Sequence, residues 1–336
     1  MRYRGKYVLD FFKSNYGVNS YLILPSHRLS TVLFFIRAYL SALIFPKKDS
    51  LVVIQSVYTK SLYAAELKLL VRVRKQICIY DLDDADYLRY PPENIYWFLK
   101  NCSAVTLGSS ELVKNLSKYN KRTLLITCPV PDLKIVKQEK NKVLTIGWIG
   151  DFTKGHKQSL LETFFPALID LPFAIKLILV GAERKEEYKF LLEYFKDNKN
   201  IDVEILQGVD WQNEISIQQR IATFDVGIAT LIDTEFYRSK SAFKLKQYLN
   251  NGVPVLSSNI AENNVFIEHG SNGFLCDTPG DFRNWIIEFN NMSAEDYKLF
   301  SVNARKSVHN FDLANYCNKL EEVPERTKRE HSDRNF

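Results

Sequence analysis

The sequence predicts an α/β protein made of two doubly wound, Rossmann-like domains with an inter-domain cleft. Three observations carry this. Apolar runs of strand length alternate with stretches of helical period along most of the chain. Many of these runs are continuous rather than alternating, as suits parallel strands buried on both faces. The alternation breaks once, at a proline- and lysine-rich stretch, and then restarts. A chain of 336 residues has room for two domains of ordinary size.

In the first half, RGKYVLDFFKSNYG (4–17) reads as a helix and SYLILP (20–25) as a strand. A doubly wound domain opens on a buried strand with a glycine-type loop, and neither precedes residue 4. Met1 is therefore expected to lie downstream of the usual start of such a fold. LVVIQ (51–55) and QICIYD (76–81) are strands around a helix at 61–75. A helix at 92–101 has proline at its first position, and one at 109–119 opens on a serine cap. Strands are expected at 103–109 and 122–130. The domains then run 1–130 and 143–310, joined by a linker at 131–142. Residues 311–336 are a tail whose polar end should lack order. The second domain reads as strands at 143–150, 173–181, 202–206, 225–231 and 253–258. Helices fall near 157–170, 184–196, 213–223, 240–250, 279–290 and 294–309.

The net charge of +6 and pI of 8.8 favour anionic substrates or an anionic membrane surface. The basic residues are scattered, with no zinc pattern or reading helix, so nucleic acid is not expected as a partner. The 5 cysteines are far apart and form no CxxC pair, which points to buried thiols in a reducing compartment rather than disulfides or a zinc site. The N-terminus has no apolar core of a secretory signal. TVLFFIRAYLSALIF (31–45) is too short to span a bilayer. It reads either as a core helix or as a helix touching a membrane surface, helped by Lys47 and Lys48.

The most informative stretch is YRSKSAFKLKQYLNNGVPVLSS (237–258). Arg238, Lys240 and Lys244 crowd the start of the helix expected at 240–250, where the helix dipole disfavours cations. A multiply charged anion such as a diphosphate would account for them, since free N–H groups there already form an anion site. A solvated basic face is the alternative. Helical spacing puts Lys240, Lys244 and Gln247 on one polar face.

That stretch, with VFIEHGSNGFL (265–275) after it, resembles the donor-binding half of the GT-B glycosyltransferases, in particular the large retaining group called family 4. IGWIG (146–150) followed by Lys154-Gly155 resembles the loop that opens the C-terminal domain in the same group. The resemblance implies transfer of a sugar from a nucleotide-diphosphate donor to a hydroxyl of a glycan or lipid-linked glycan, with retention and without a metal or other cofactor. By that resemblance Arg238, Lys240 and Ser241 hold the diphosphate with Lys154. Gly150 lets backbone approach the donor, His156 lies near it, and Glu262 contacts the sugar. Many members carry two glutamates eight positions apart, which fall here on Ser239 and Gln247; Gln247 can still bond a ribose hydroxyl through its amide. A cytoplasmic enzyme of bacterial surface-polysaccharide assembly, in peripheral contact with the inner membrane face, is the setting this analogy suggests.

YDLDDADYLRYPPE (80–93) places Asp81, Asp83, Asp84 and Asp86 just after a strand end. Either Asp81 or Asp83 orients the acceptor hydroxyl or takes its proton, or the cluster only shapes a turn. Its Asp-Leu-Asp resembles the metal motif of the GT-A fold, but the two βα series speak against that fold. Two other readings stand beside the enzyme: an inactive partner subunit, motivated by the missing glutamates, and an epimerase or dehydrogenase. The absence of GxGxxG after an early strand counts against the last.

Overall fold

The computed structural model describes residues 2–24, 28–45, 50–56, 61–74, 77–152 and 154–332. The chain divides into two units. One comprises Met1–Pro129, Ser239–Ser241 and Leu313–Phe336; the other comprises Val130–Arg238 and Ala242–Asp312.

In the first unit a π-helical turn, Arg2–Lys6, leads into α1 (Tyr7–Tyr16). Gly17 ends α1 in the left-handed conformation, its N–H bonded to Lys13 O. Then follow α2 (Leu29–Ile44), β1 (Val52–Gln55), α3 (Ser61–Val73), β2 (Cys78–Leu82), α4 (Glu93–Asn101), β3 (Ala104–Leu107), α5 (Ser110–Leu116) and β4 (Thr123–Leu125). The four strands are parallel and lie side by side in chain order. β2 and β3 are buried at every position, which explains why their sequences are apolar apart from Asp81 and Thr106. Ser109 caps α5 by accepting the Leu112 N–H.

Three expectations change here. Residues 20–24 form no strand, and Tyr21 and Leu24 are exposed, because no sheet edge receives them. None of the residues of α2 is buried, so the apolar run is not a core helix; Lys47 and Lys48 lie outside the described residues. The supposed tail forms α15 (Leu313–Ser332). Tyr316, Cys317, Leu320 and Val323 recur at helical spacing and pack with Val8, Ile79, Ala104 and Ile126. The charged second half of α15 hides that stripe in an average over composition. All five cysteines are buried and outside disulfides, and burial pushes the Cys78 thiol up to about 12.

The second unit holds β5 (Leu144–Ile149), α6 (Lys154–Ser159), α7 (Phe165–Leu168), β6 (Ile175–Val180), α8 (Lys185–Phe195), β7 (Ile201–Leu206), α9 (Glu214–Ile221) and β8 (Val226–Ala229). It continues through α10 (Glu235–Arg238), α11 (Phe243–Asn250), β9 (Val255–Ser258), α12 (Asn263–Phe266), β10 (Gly273–Cys276), α13 (Pro279–Asn291) and α14 (Ala294–Ser307). Its parallel sheet has the order β10-β9-β8-β5-β6-β7. Trp148, Phe164, Phe165, Phe282 and Phe289 fill the core on one side. The stretch 131–142, read as a linker, is held onto this unit. Lys137 forms a buried pair with Asp225 at 3.0 Å, Asp225 also accepts the Asn141 and Thr145 N–H groups, and Arg305 pairs with Asp132 at 2.9 Å.

Candidate functional site

Strand order locates the site in the second unit. From β5 the chain builds outward through β6 and β7, then returns to place β8, β9 and β10 on the other side. In open sheets of this kind ligands bind outside the carboxyl ends of the strands where the direction reverses, which here is between β5 and β8.

α11 is pinned over that point. Tyr248 Oη, fully buried, accepts the Ile149 N–H at 2.9 Å at the end of β5. Lys244 lies one turn earlier on the same face. Its Nζ stands 4.3 Å from the centroid of the Trp148 ring, a cation–π distance. A Cβ added at Gly150 would come 2.9 Å from that Nζ, so glycine there keeps the space the ammonium occupies. Around it are aromatic walls. His156 faces Trp148 at 6.2 Å and Tyr237 at 6.0 Å between ring centroids. Gly155 is required, because a Cβ there would collide with the Tyr237 hydroxyl. The Ser159 and Thr230 hydroxyls bond at 3.0 Å and tie α6 to the end of β8.

The sequence-predicted donor residues gather unevenly about this point. Gly150 follows β5 directly, and Lys154 opens α6 with Gly155 and His156. Gln247 is buried on α11, and Glu262 is buried just before α12. Asn263, beside Glu262, donates to Ala229 O at 3.3 Å and Ser258 O at 3.1 Å, which sets that loop at the carboxyl ends of β8 and β9.

The basic cluster at 238–244 is rearranged relative to the sequence reading. The helix expected at 240 starts at Phe243, after Ala242 in the left-handed conformation (φ 48°). Arg238 instead closes α10, an end where a cation suits the helix dipole. It forks onto Asp233, with Nη2 at 2.7 Å from Oδ2, and this hydrogen bonding holds the Asp233 carboxyl below its usual range. Lys240 and Ser241 fall with the first unit. Lys240 Nζ lies 2.8 Å from Asp84 Oδ2, and Ser241 O accepts the Thr127 hydroxyl at 3.4 Å. Lys240 is thus engaged by the acidic cluster, not set beside Arg238 on a helix face. Lys244 takes the place that helical spacing assigned to Lys240; the spacing of Lys244 to Tyr248 was the available signal.

In the first unit the carboxylates divide into two kinds. β1, β2 and β3 align Gln55, Asp81 and Thr106 in register. Gln55 Nε2 donates to Asp81 Oδ2 at 2.6 Å and Thr106 Oγ1 to Asp81 Oδ1 at 2.6 Å. Arg4 completes the row, with Nε at 3.1 Å from Oδ2 and Nη2 on Oδ1. Its Nη1 reaches Ile126 O at 2.5 Å and Asp83 Oδ1 at 3.3 Å, and the Tyr316 ring lies 5.4 Å away. Burial works against the Arg4 charge, but Asp81, Tyr316 and Asp83 outweigh it and raise its pKa above the ordinary value. Asp81 is therefore saturated by structural partners and offers no free oxygen to an acceptor. The Asp83 side chain is 37% exposed and keeps contact with solvent. Arg4 went unnoticed in the sequence.

Residues 140–291 match the family model described as glycosyl transferases group 1. Among curated proteins, none matches the chain. Among solved structures, the chain is similar to the Anabaena protein HepE in complex with UDP and glucose, with a TM-score of 0.63 at 16% identity over 81% of this chain and 77% of that one. It is similar to a sucrose-phosphate synthase from Thermosynechococcus elongatus, with a TM-score of 0.65 at 14% identity over 89% and 77%. A glycosyltransferase from Rickettsia africae gives 0.62 at 16% over 92% and 84%. Two parallel-sheet units with these neighbours define the GT-B fold class. The group 1 glycosyl transferase match lies almost entirely within the second unit, and the fold of the chain is that of the GT-B structures it resembles.

Proposed function

We propose that this enzyme transfers a sugar from a UDP-sugar to a hydroxyl of a glycan or lipid-linked glycan, in surface-polysaccharide assembly and with retention of configuration. The observation that carries the reading is the Lys244 ammonium held over Trp148 beside Gly150, at the reversal point of the sheet. UDP complexes of similar proteins support the choice of nucleotide.

In this reading Lys244 and Arg238 stabilise the departing diphosphate, with Lys154 assisting. Charge of fixed position stabilises a leaving group best where water is scarce. Gln247 bonds the ribose, Glu262 the sugar, and His156 forms a wall of the site. Asp83, partly exposed, rather than the buried Asp81 orients the acceptor. Lys240 and Ser241 shape the segment beside Asp84. Side-chain cations here replace a divalent ion, so UDP release from a UDP-sugar is expected to continue undiminished in EDTA. Turnover that stops with EDTA and returns with a divalent metal would contradict this. Absence of turnover with any nucleotide-sugar would leave the inactive-subunit reading standing.

Asp233 competes with the donor for Arg238. The pair is about half exposed, so its loss costs the fold little. Asp233→Asn is expected to tighten UDP binding roughly two- to fivefold. Calorimetry showing weaker binding in this variant would remove Arg238 from the phosphate site.

A further inference from the structure

We infer that α2 docks the first unit onto an anionic phospholipid bilayer, lying in the plane of the interface. The inference rests on no feature of the donor site. Leu29, Leu33, Ile36, Leu40 and Ile44 follow one another at helical spacing and form a single stripe. A surface helix places polar residues on its solvent side, yet these five are 72%, 57%, 44%, 43% and 53% exposed, and Phe45 after them is 76% exposed. The other side of the helix is accounted for. Phe35 packs on Tyr63 of α3 with ring centroids 4.7 Å apart, and Arg74 Nε donates to Leu43 O at 2.9 Å. The stripe is thus the outward face of a helix fixed from behind.

Charge identifies the occupant. From Phe11 to Lys48 the sequence contains no Asp or Glu, although the whole chain has 39, and it carries Lys13, Arg28, Arg37, Lys47 and Lys48. Lys13, Arg28 and Arg37 are exposed in the structure; Lys47 and Lys48 lie outside the described residues. An apolar stripe whose own segment carries cations and no carboxylate suits a lipid surface, where acyl chains take the leucines and phosphate headgroups take the bases. At about 1.5 Å per residue, α2 is shorter than the ~30 Å hydrocarbon core. No helix of the described residues is long and apolar enough to cross a membrane. Lying on the surface is the arrangement left for such a stripe.

The test is co-sedimentation of the full chain with phosphatidylglycerol-containing vesicles and with pure phosphatidylcholine vesicles. Partition into the anionic vesicles is expected to be roughly tenfold stronger and to fall with salt. L33D/I36D is expected to abolish it with an unchanged circular-dichroism melt, since both side chains are already in solvent. L33W adds a reporter whose fluorescence should shift to the blue on anionic vesicles. The proposal is overturned if the wild type stays in the supernatant with anionic vesicles and the emission of the L33W variant does not move. It is equally overturned if L33D/I36D binds as well as the wild type. A wild-type dimer dissociated by L33D/I36D, without vesicle binding, would assign the stripe to a second copy instead.

Discussion

Asp81→Ala is expected to lower the stability of the first unit by about 3–5 kcal/mol, the range for removing one partner of a buried ion pair. Arg4 would keep its charge with its main counter-ion gone, among Tyr316, Ile126 O and a partly solvated Asp83. Gln55 and Thr106 would each lose an acceptor; Gln55 keeps Arg4 O, whereas the buried Thr106 hydroxyl would lose its carboxylate partner. Urea unfolding of the full chain reads the change as a shift in midpoint. R4M/D81L is expected to recover much of the loss, because removing both charges leaves nothing buried without compensation. An unchanged midpoint in Asp81→Ala, with turnover lost, would return Asp81 to the catalytic role its position in the sequence suggested.

Lys244→Ala is expected to weaken UDP binding by about 1.5–3 kcal/mol, as for a hydrogen bond to a charged group. That is roughly ten- to a hundredfold in affinity. Lys244→Arg should restore only part of it, because a planar fork does not fill the compact space between Trp148 and Gly150 as an ammonium does. Lys240→Ala should have a smaller effect, since that lysine is spent on Asp84. Stability should change little in Lys244→Ala, which separates this loss from the structural one at Asp81. Equal affinity in wild type and Lys244→Ala would dissolve the proposed donor site.

How far the sequence reached depended on whether a feature was local. Strands β5 and β6 were legible because largely apolar runs of six residues followed by glycine have few alternatives in an α/β chain. β10 was missed: Gly-Phe-Leu-Cys is short and forms a strand because the edge of β9 receives it. The start of α11 was misplaced because Ala242 adopts a left-handed backbone, although alanine favours helix above other residues. Its tertiary surroundings override that preference. That displacement puts Lys240 before the helix and Lys244 in its first turn. Arg4 gave no signal because its partner Asp81 lies 77 residues away. For α2, periodicity established the helix, but whether an apolar stripe has a neighbour is a tertiary fact that periodicity does not carry.

The most direct measurement is a calorimetric titration of UDP into the full chain, with GDP and ADP as comparisons. One molecule of UDP per chain is expected to bind in wild type, with affinity reduced at least tenfold in Lys244→Ala and in Arg238→Ala. No heat of binding from any of the three nucleotides, or binding indifferent to both substitutions, would contradict the assignment of the donor site.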